Sequence, residues 1–236
     1  MAEPGYPLFV DPEYYMKCRV PRGIPGWLKI RSEYRALDRC LAATAGVASV
    51  LDVPCGPGRL FPYWRRRGLS VIGMDLSPPM VEAATKLHAV MGLPGRVGKA
   101  DAFNFEAELK ESVDLAASVR FAYYFEGPKR VELMRSLATV AKRYVLVQYK
   151  SSETFKGRRN EAKSKGNDRS KFHTQHATIV EDMRAAGLMP LRVEPIGEFS
   201  DRVYAIAQKY AQGAPEVKVS RAPGGWLAAL LRALGG

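Results

Sequence analysis

The stretch Val50-Leu51-Asp52-Val53-Pro54-Cys55-Gly56-Pro57-Gly58-Arg59-Leu60 decides how the rest of the chain is read. A short β-branched run from Ala48 to Val53 carries an acid, Asp52, near its end. A turn with Gly56 and Gly58 follows, flanked by Pro54 and Pro57, and a basic amphipathic segment, Arg59 to Arg67, begins at once. Strand, tight glycine turn and helix start in immediate succession open a nucleotide-binding α/β unit, because the glycines let backbone N–H groups approach a ligand closely. Alone, the stretch says only that a nucleoside-like ligand sits at the first strand–helix turn.

Downstream, strand and helix patterns alternate. Gly68 closes the helix after the turn, and the strand Ser70–Asp75 again ends in an acid. Ser77 stands as the N-cap of a helix to Met91, with Pro78 at its first position. Further strands are predicted at 96–100, 113–119 and 144–149, with a helix at 128–142. The run 144–149 is nearly all apolar, as a parallel strand covered on both faces should be. A helix capped by Thr174 should run to Ala186, closed by Gly187. Strands at 189–195 and 202–208 read as an antiparallel hairpin.

Ahead of the first strand, residues 1–25 read as an irregular Pro/Gly-rich arm, since five prolines exclude a long helix. The spacing of Trp27, Ile30, Tyr34, Leu37 and Leu41 predicts a helix packing that face on the sheet. Between Lys156 and Lys171 there are seven Lys/Arg against two Asp/Glu, which reads as a flexible basic loop, 156–171. The tail, 211–236, is a polar linker ending in an amphipathic helix around Trp226, Leu227, Leu230, Leu231 and Leu234. It suits docking on the domain, or contact with a partner protein or a membrane surface.

The chemistry-bearing acids come in order. Asp75 lies 23 residues beyond Asp52, where a carboxylate can accept both hydroxyls of a ribose. Asp101 closes the third strand, followed by Ala102 and Phe103: an acid for an amino group on a base edge, and an apolar neighbour for the ring. The fourth strand ends at Ser118 without a second glycine motif. A dinucleotide dehydrogenase is the rival for such a turn, but its third glycine position is taken here by Phe61.

These features resemble the class I S-adenosylmethionine-dependent methyltransferases over about 48–209. Val-Leu-Asp-Val-Pro-Cys-Gly-Pro-Gly-Arg is similar to their first motif, Val71 to Ser77 with Met80 to their second, and Ala100 to Phe103 to their third. Pro54 stands where many members have a glycine. The resemblance implies a doubly wound, mostly parallel seven-stranded α/β sheet with an antiparallel last strand, spanning 48–210 after an N-terminal arm and helix (1–47). It implies S-adenosyl-L-methionine as cofactor. Asp52, Pro54 and the backbone of Cys55 and Gly56 would face the methionine moiety, with Gly58 allowing close approach. Asp75 would hold the ribose, Leu76, Met80 and Phe103 border the adenine, and Asp101 and Ala102 meet its edge. Ser118 would lie near the sulfonium.

The acceptor is less legible. Tyr123 and Tyr124 follow the fourth strand and can wall a substrate pocket. His173 and His176, after the basic loop, are substrate or base candidates, whereas His88 in the second helix reads as packing. No Asn/Asp-Pro-Pro-Tyr/Phe motif follows the fourth strand, which disfavours methylation of base amines. The leading expectation is a small-molecule, lipid-linked or protein side-chain acceptor. The alternatives are RNA, tracked by the basic loop and Arg65–Arg67, and a non-catalytic binding protein.

Composition sets the outer bounds. A chain of 236 residues, 47% hydrophobic, can bury about three-quarters of its unfolded surface. Mean hydropathy is −0.20 and no run reaches membrane-span length. Cys18, Cys40 and Cys55 form no disulfide framework or metal spacing, so a reducing cytoplasm is expected and no metal is. A net charge of +12, with pI near 9.7, favours an anionic or acidic partner, although no DNA-binding motif is present.

Overall fold

The computed structural model describes residues 11–19, 23–105, 109, 111–164, 172–197 and 200–210. The expected tail helix, residues 1–10 and 20–22 of the arm, and residues 165–171 of the basic segment therefore lie outside the described residues.

Among the described residues eight strands form one sheet: β1 (Ser49–Asp52), β2 (Ser70–Asp75), β3 (Gly95–Lys99), β4 (Val113–Ser118), β5 (Ala141–Ser151), β6 (His173–Thr174), β7 (Leu188–Pro195) and β8 (Arg202–Lys209). The order is β3-β2-β1-β4-β5-β8-β7, with β6 paired only to the end of β5. β8 is antiparallel to both neighbours and all other pairings are parallel. The expected seven strands are all present, and the two-residue β6 is an addition. Order reverses between β1 and β4, and open α/β sheets place their ligand crevice at such a switch point, outside the strands' C-terminal ends.

Side chains alternate between two cores, as a period of two requires. Val50, Val71, Leu115, Leu146 and Ile206 face one side, under α2 (Gly23–Leu41), α3 (Phe61–Arg66) and α4 (Pro78–Val90). Leu51, Ile72, Ala116, Val147 and Ala205 face the other, under α5 (Gly127–Val140) and α7 (His176–Ala185). Helix α3 ends as predicted, with Gly68 at φ 70° and its N–H donating to the Arg65 carbonyl, while Leu69 N–H donates to that of Trp64.

Four expectations are corrected. The arm is not irregular throughout: Pro12–Arg19 forms a helix, α1, and α2 starts at Gly23 rather than Trp27. Pro12 and Pro25 both fall in first turns, where a missing N–H breaks no hydrogen bond. The buried face of α2 is Gly26, Glu33, Ala36, Leu37, Cys40 and Leu41, and Trp27 is exposed. Residues Phe155–Ser164 are not loop but a helix, α6. Thr154 Oγ1 accepts the Gly157 N–H at 3.0 Å as an N-cap, and a Cβ on Gly157 would lie 1.8 Å from the Ser151 carbonyl oxygen. Lys, Arg, Glu and Ala are good helix formers, so a polar composition did not mean an irregular chain. Finally, Thr174 belongs to β6, and Gln175 holds the N-cap position of α7.

Leu115 is fully buried at the centre of the sheet and Val90 is 86% exposed. Leu115→Ala should cost about 2–5 kcal/mol in urea unfolding, whereas Val90→Ala should stay within about 0.5 kcal/mol.

Candidate functional site

The C-terminal ends of β1, β2 and β4 meet at the switch point. There Asp52 pairs in register with Gly73 on one side and Ala117 on the other. After Asp52 the chain turns at once. Cys55 N–H donates to the Met74 carbonyl at 2.8 Å, which ties the turn to β2. Gly56 (φ 56°) and Gly58 (φ 83°) adopt the left-handed conformation that other L-residues resist. Tyr15 of α1 lies over this turn, 3.7 Å from where a Cβ on Gly56 would be.

Asp75 joins the first two motifs. Its Oδ2 accepts the Gly56 N–H at 2.8 Å, and its Oδ1 accepts the Ser77 N–H at 2.9 Å. Burial pushes its carboxyl up, and those backbone N–H groups oppose the shift. The Leu76 N–H also acts on this carboxylate, and since an ionised carboxylate offers about four acceptor sites, capacity remains for an incoming hydroxyl. Asp52 is fully enclosed. Burial raises its carboxyl to about 6, against the Trp64 Nε1–H that donates to Oδ2 at 3.0 Å. Ser77 Oγ and Ser118 Oγ are buried without a hydrogen-bond partner among the described residues. Ser77 thus occupies its N-cap position without making the side-chain cap bond.

On the β3 side, Asp101 is exposed and its Oδ1 accepts the Phe103 N–H at 3.0 Å. Phe103 packs with Phe121 and Phe125. Ala102 and Met80 are buried and Leu76 is 57% exposed, an apolar lip able to take a base. The residues before and after Asp75 therefore carry a diol acceptor flanked by apolar surface, and Ser118 adds an orphaned hydroxyl. This donor and acceptor set fits an adenosine carrying a methionine chain.

The acceptor candidates separate. Tyr123 is buried, Tyr124 half-buried, and the Tyr123 carbonyl accepts the Phe172 N–H at 2.9 Å, which brings β6 alongside. His173 Nε2 lies 3.6 Å from Asp201 Oδ2. The same carboxylate takes the Lys150 ammonium and the Asn160 amide. Burial would raise Asp201, but these donors outweigh it and hold it well below the carboxylate range. His176 is set apart, with Nε2 3.0 Å from Ser151 Oγ and Nδ1 3.3 Å from Glu153 Oε2. His88 is packing, buried against Phe61 with Nε2 3.3 Å from the Val71 carbonyl.

Sequence reasoning missed the group beside these. Glu33 of α2 is buried. It accepts two hydrogen bonds from Arg59 (2.8 and 3.2 Å), one from Tyr204 Oη (2.9 Å) and a long one from Gln148 Nε2 (3.4 Å). Arg120 stands 3.7 Å away. Burial alone would raise Glu33; Arg59, Arg120 and Arg202 outweigh it and hold the carboxyl at about 2. The available signal was an acid on a helix stripe otherwise made of Gly26, Ala36, Leu37 and Cys40.

Residues 50–143 match the family model described as a methyltransferase domain. Over 42 residues the chain is 60% identical to a malonyl-(acyl-carrier protein) O-methyltransferase from Salmonella typhimurium and 50% identical to one from Pseudescherichia vulneris. Each match covers 18% of this chain and only 17% of the relative's length. Among solved structures, the chain is similar to magnesium protoporphyrin IX methyltransferase from Synechocystis with bound SAH. There the TM-score is 0.64 at 15% identity, over 86% of this chain and 97% of that one. A S-adenosylmethionine-dependent methyltransferase from Clostridium acetobutylicum gives a TM-score of 0.61 at 13% identity, over 84% and 97%. At such identities the likeness concerns the fold.

Removing the Glu33 charge strands Arg59. Glu33→Gln should therefore cost about 3–5 kcal/mol at neutral pH, as broken buried pairs do. The folded carboxyl sits at about 2 against an ordinary 4.5, so its stabilisation is present above 4.5 and lost as pH falls through 2. Urea unfolding of wild type and variant should converge between those values; a gap independent of pH would contradict this.

Proposed function

We propose that the chain, whose residues 50–143 match a methyltransferase domain, is a class I S-adenosylmethionine-dependent methyltransferase that transfers the methyl group to a small-molecule, lipid-linked or protein side-chain acceptor held between β4, β5 and α2. S-adenosylmethionine, when bound, would supply an electrophilic methyl carbon on sulfur, open to in-line attack by an acceptor lone pair that forms the new bond as the carbon–sulfur bond breaks and the neutral thioether leaves. What remains for the protein is alignment and, for some acceptors, a base.

The observation that carries the reading is Asp75, fixed at the end of β2 by the Gly56 and Ser77 N–H groups with acceptor capacity left for the ribose. Leu76, Met80 and Phe103 border the base, and the Asp101–Ala102 turn meets its edge. The turn Pro54 to Gly58 takes the methionine chain, with Asp52 beneath it and Ser118 Oγ toward the sulfur. Asp52, pushed up to about 6, is stabilised in its ionised form by a nearby cationic ligand. His173, oriented by Asp201, is placed to take a proton from an acceptor hydroxyl or ammonium; an acceptor already ionised needs no base.

A RNA acceptor is the second reading, favoured by Lys156, Arg158 and Arg159 exposed along α6. Nucleic-acid affinity that is absent at low salt, or indifferent to salt, would remove it.

Calorimetry should show S-adenosylmethionine binding to the wild type. Loss of two charge-assisted hydrogen bonds at about 1.5–3 kcal/mol each predicts at least a hundredfold weakening in Asp75→Ala. Unchanged affinity in that variant, with its fold intact by circular dichroism, would contradict the assignment. Affinity should also fall as pH drops below about 6, where Asp52 takes up a proton, and Asp52→Asn should flatten that dependence. Which fraction of a lysate accepts radiolabelled methyl groups tests the acceptor class directly.

A further inference from the structure

The outward face of α2 is built unlike its buried one. Ile24, Trp27 and Leu28 stand at i, i+3 and i+4 spacing on one side of its first turns, and they are 77%, 55% and 51% exposed. Arg31 continues that face one turn on, its guanidinium 5.1 Å from the centroid of the Trp27 ring, and Arg35 follows after another turn. Residues 23–32 carry Lys29 and Arg31 and no acid. Single exposed apolar side chains are ordinary on a protein surface. Three adjoining ones with cations behind them mark a contact face.

The fold puts this face at the rim of the crevice. Helix α2 runs against the parallel strands. Just past its C-terminal end, Ala45 N–H donates to Tyr144 Oη near the start of β5, while Glu33 meets Gln148 toward the far end of that strand. Val147 pairs in register with Ser118, the last residue of β4, so Glu33 is level with the strand ends at the switch point. At about 1.5 Å per residue the helix carries Ile24 about 13 Å further, beyond those ends. Among the described residues, every exposed large apolar side chain except Val90 and Tyr210 lies on α1, on α2 or in a segment bordering the C-terminal ends of the parallel strands. The exposed cations Lys156, Arg158 and Arg159 of α6 stand on the same rim, where Asn160 ties that helix to Asp201. Helix α1 contributes both signs, with Asp11, Glu13 and Lys17 exposed around it.

We infer that this face docks the protein on an anionic lipid bilayer, with Ile24, Trp27 and Leu28 in the interface and Lys29, Arg31 and Arg35 against lipid phosphates. The order along the helix fits such a surface. An apolar tip comes first and cations follow about one turn, roughly 5 Å, behind it, which matches the depth to which interfacial side chains sink. Tryptophan seats at that boundary with one edge apolar and one wet, and arginine and lysine reach from it to headgroups. A nucleic acid would use the cations but offers nothing to Ile24 and Leu28. Among the described residues no helix is long and apolar enough to cross a membrane, and the contact inferred is peripheral. The docked crevice opens onto the bilayer, so its acceptor is lipid-borne, a consequence that rests on the methyltransferase reading.

The test is flotation of the full chain with vesicles of phosphatidylcholine alone or mixed with phosphatidylglycerol. The wild type should float with the anionic vesicles, less with the neutral ones, and should lose binding as salt rises. Trp27→Ser combined with Leu28→Ser should weaken partitioning roughly tenfold or more, and Lys29→Gln combined with Arg31→Gln about tenfold on anionic vesicles only. Val90→Ser, at the opposite end of the sheet, should change nothing. All three proteins should keep the wild-type circular dichroism and S-adenosylhomocysteine affinity. No binding to anionic vesicles, the outcome expected of a face for an acidic protein, would overturn the inference. Binding that survives the Trp27 and Leu28 substitutions, as contact through residues 211–236 alone would give, would overturn it too. So would a wild-type dimer that those substitutions separate without any vesicle binding, since the face would then belong to a second copy. Failure of S-adenosylhomocysteine to bind wild type would instead strike at the methyltransferase reading and leave the docking surface standing.

Discussion

The carboxylate of Glu33 is the constraint on which the geometry of the site depends. Buried alone, an ionised acid would be expelled or protonated; here it is kept charged by donors drawn from three separate parts of the sheet. Arg59 comes from the turn after β1, Gln148 from β5 and Tyr204 from β8. One side chain of α2 therefore fixes the helix to the glycine turn and to the antiparallel end of the sheet at once. Because each donor needs Glu33 as much as Glu33 needs them, the helix cannot shift without stranding a buried charge.

That constraint explains why the crevice has two chemically different halves. Toward β2 and β3 the surface presents a carboxylate, backbone N–H groups and apolar side chains, which suit a nucleoside. Toward β5 and β8 it presents arginine, lysine, histidine and aromatic groups. Asp75 organises the first half by joining Gly56 to Ser77, and Asp201 organises the second by gathering Lys150, Asn160 and His173. The two halves meet at Asp52 and Ser118, on adjacent strands where the sheet order reverses.

The nucleoside half was legible in the sequence because it is built from local signals. A glycine turn, strand-end acids and alternating periodicity are each read within about a dozen residues, and the doubly wound sheet with its antiparallel last strand followed from the family they resemble. The acceptor half was not, because its members lie far apart in the chain and meet only through the antiparallel insertion of β8. Glu33 and Tyr204 are 171 residues apart. Composition misled in two places for a related reason. Proline in α1 and α2 and lysine in α6 were read as marks of irregular chain. A proline in a first turn, or a cation on a solvent face, is compatible with a helix. The exposure of Trp27 has the same origin, since the stripe that α2 buries is set by what Glu33 must reach rather than by its largest apolar side chains.

The most direct test is a crystal structure of the protein grown with S-adenosylhomocysteine. Its ribose hydroxyls should lie within hydrogen-bond distance of Asp75, with the adenine against Leu76, Met80 and Phe103 and the sulfur directed toward Ser118. Density for the nucleoside away from the ends of β1, β2 and β4, or a ribose held by a group other than Asp75, would contradict the site described.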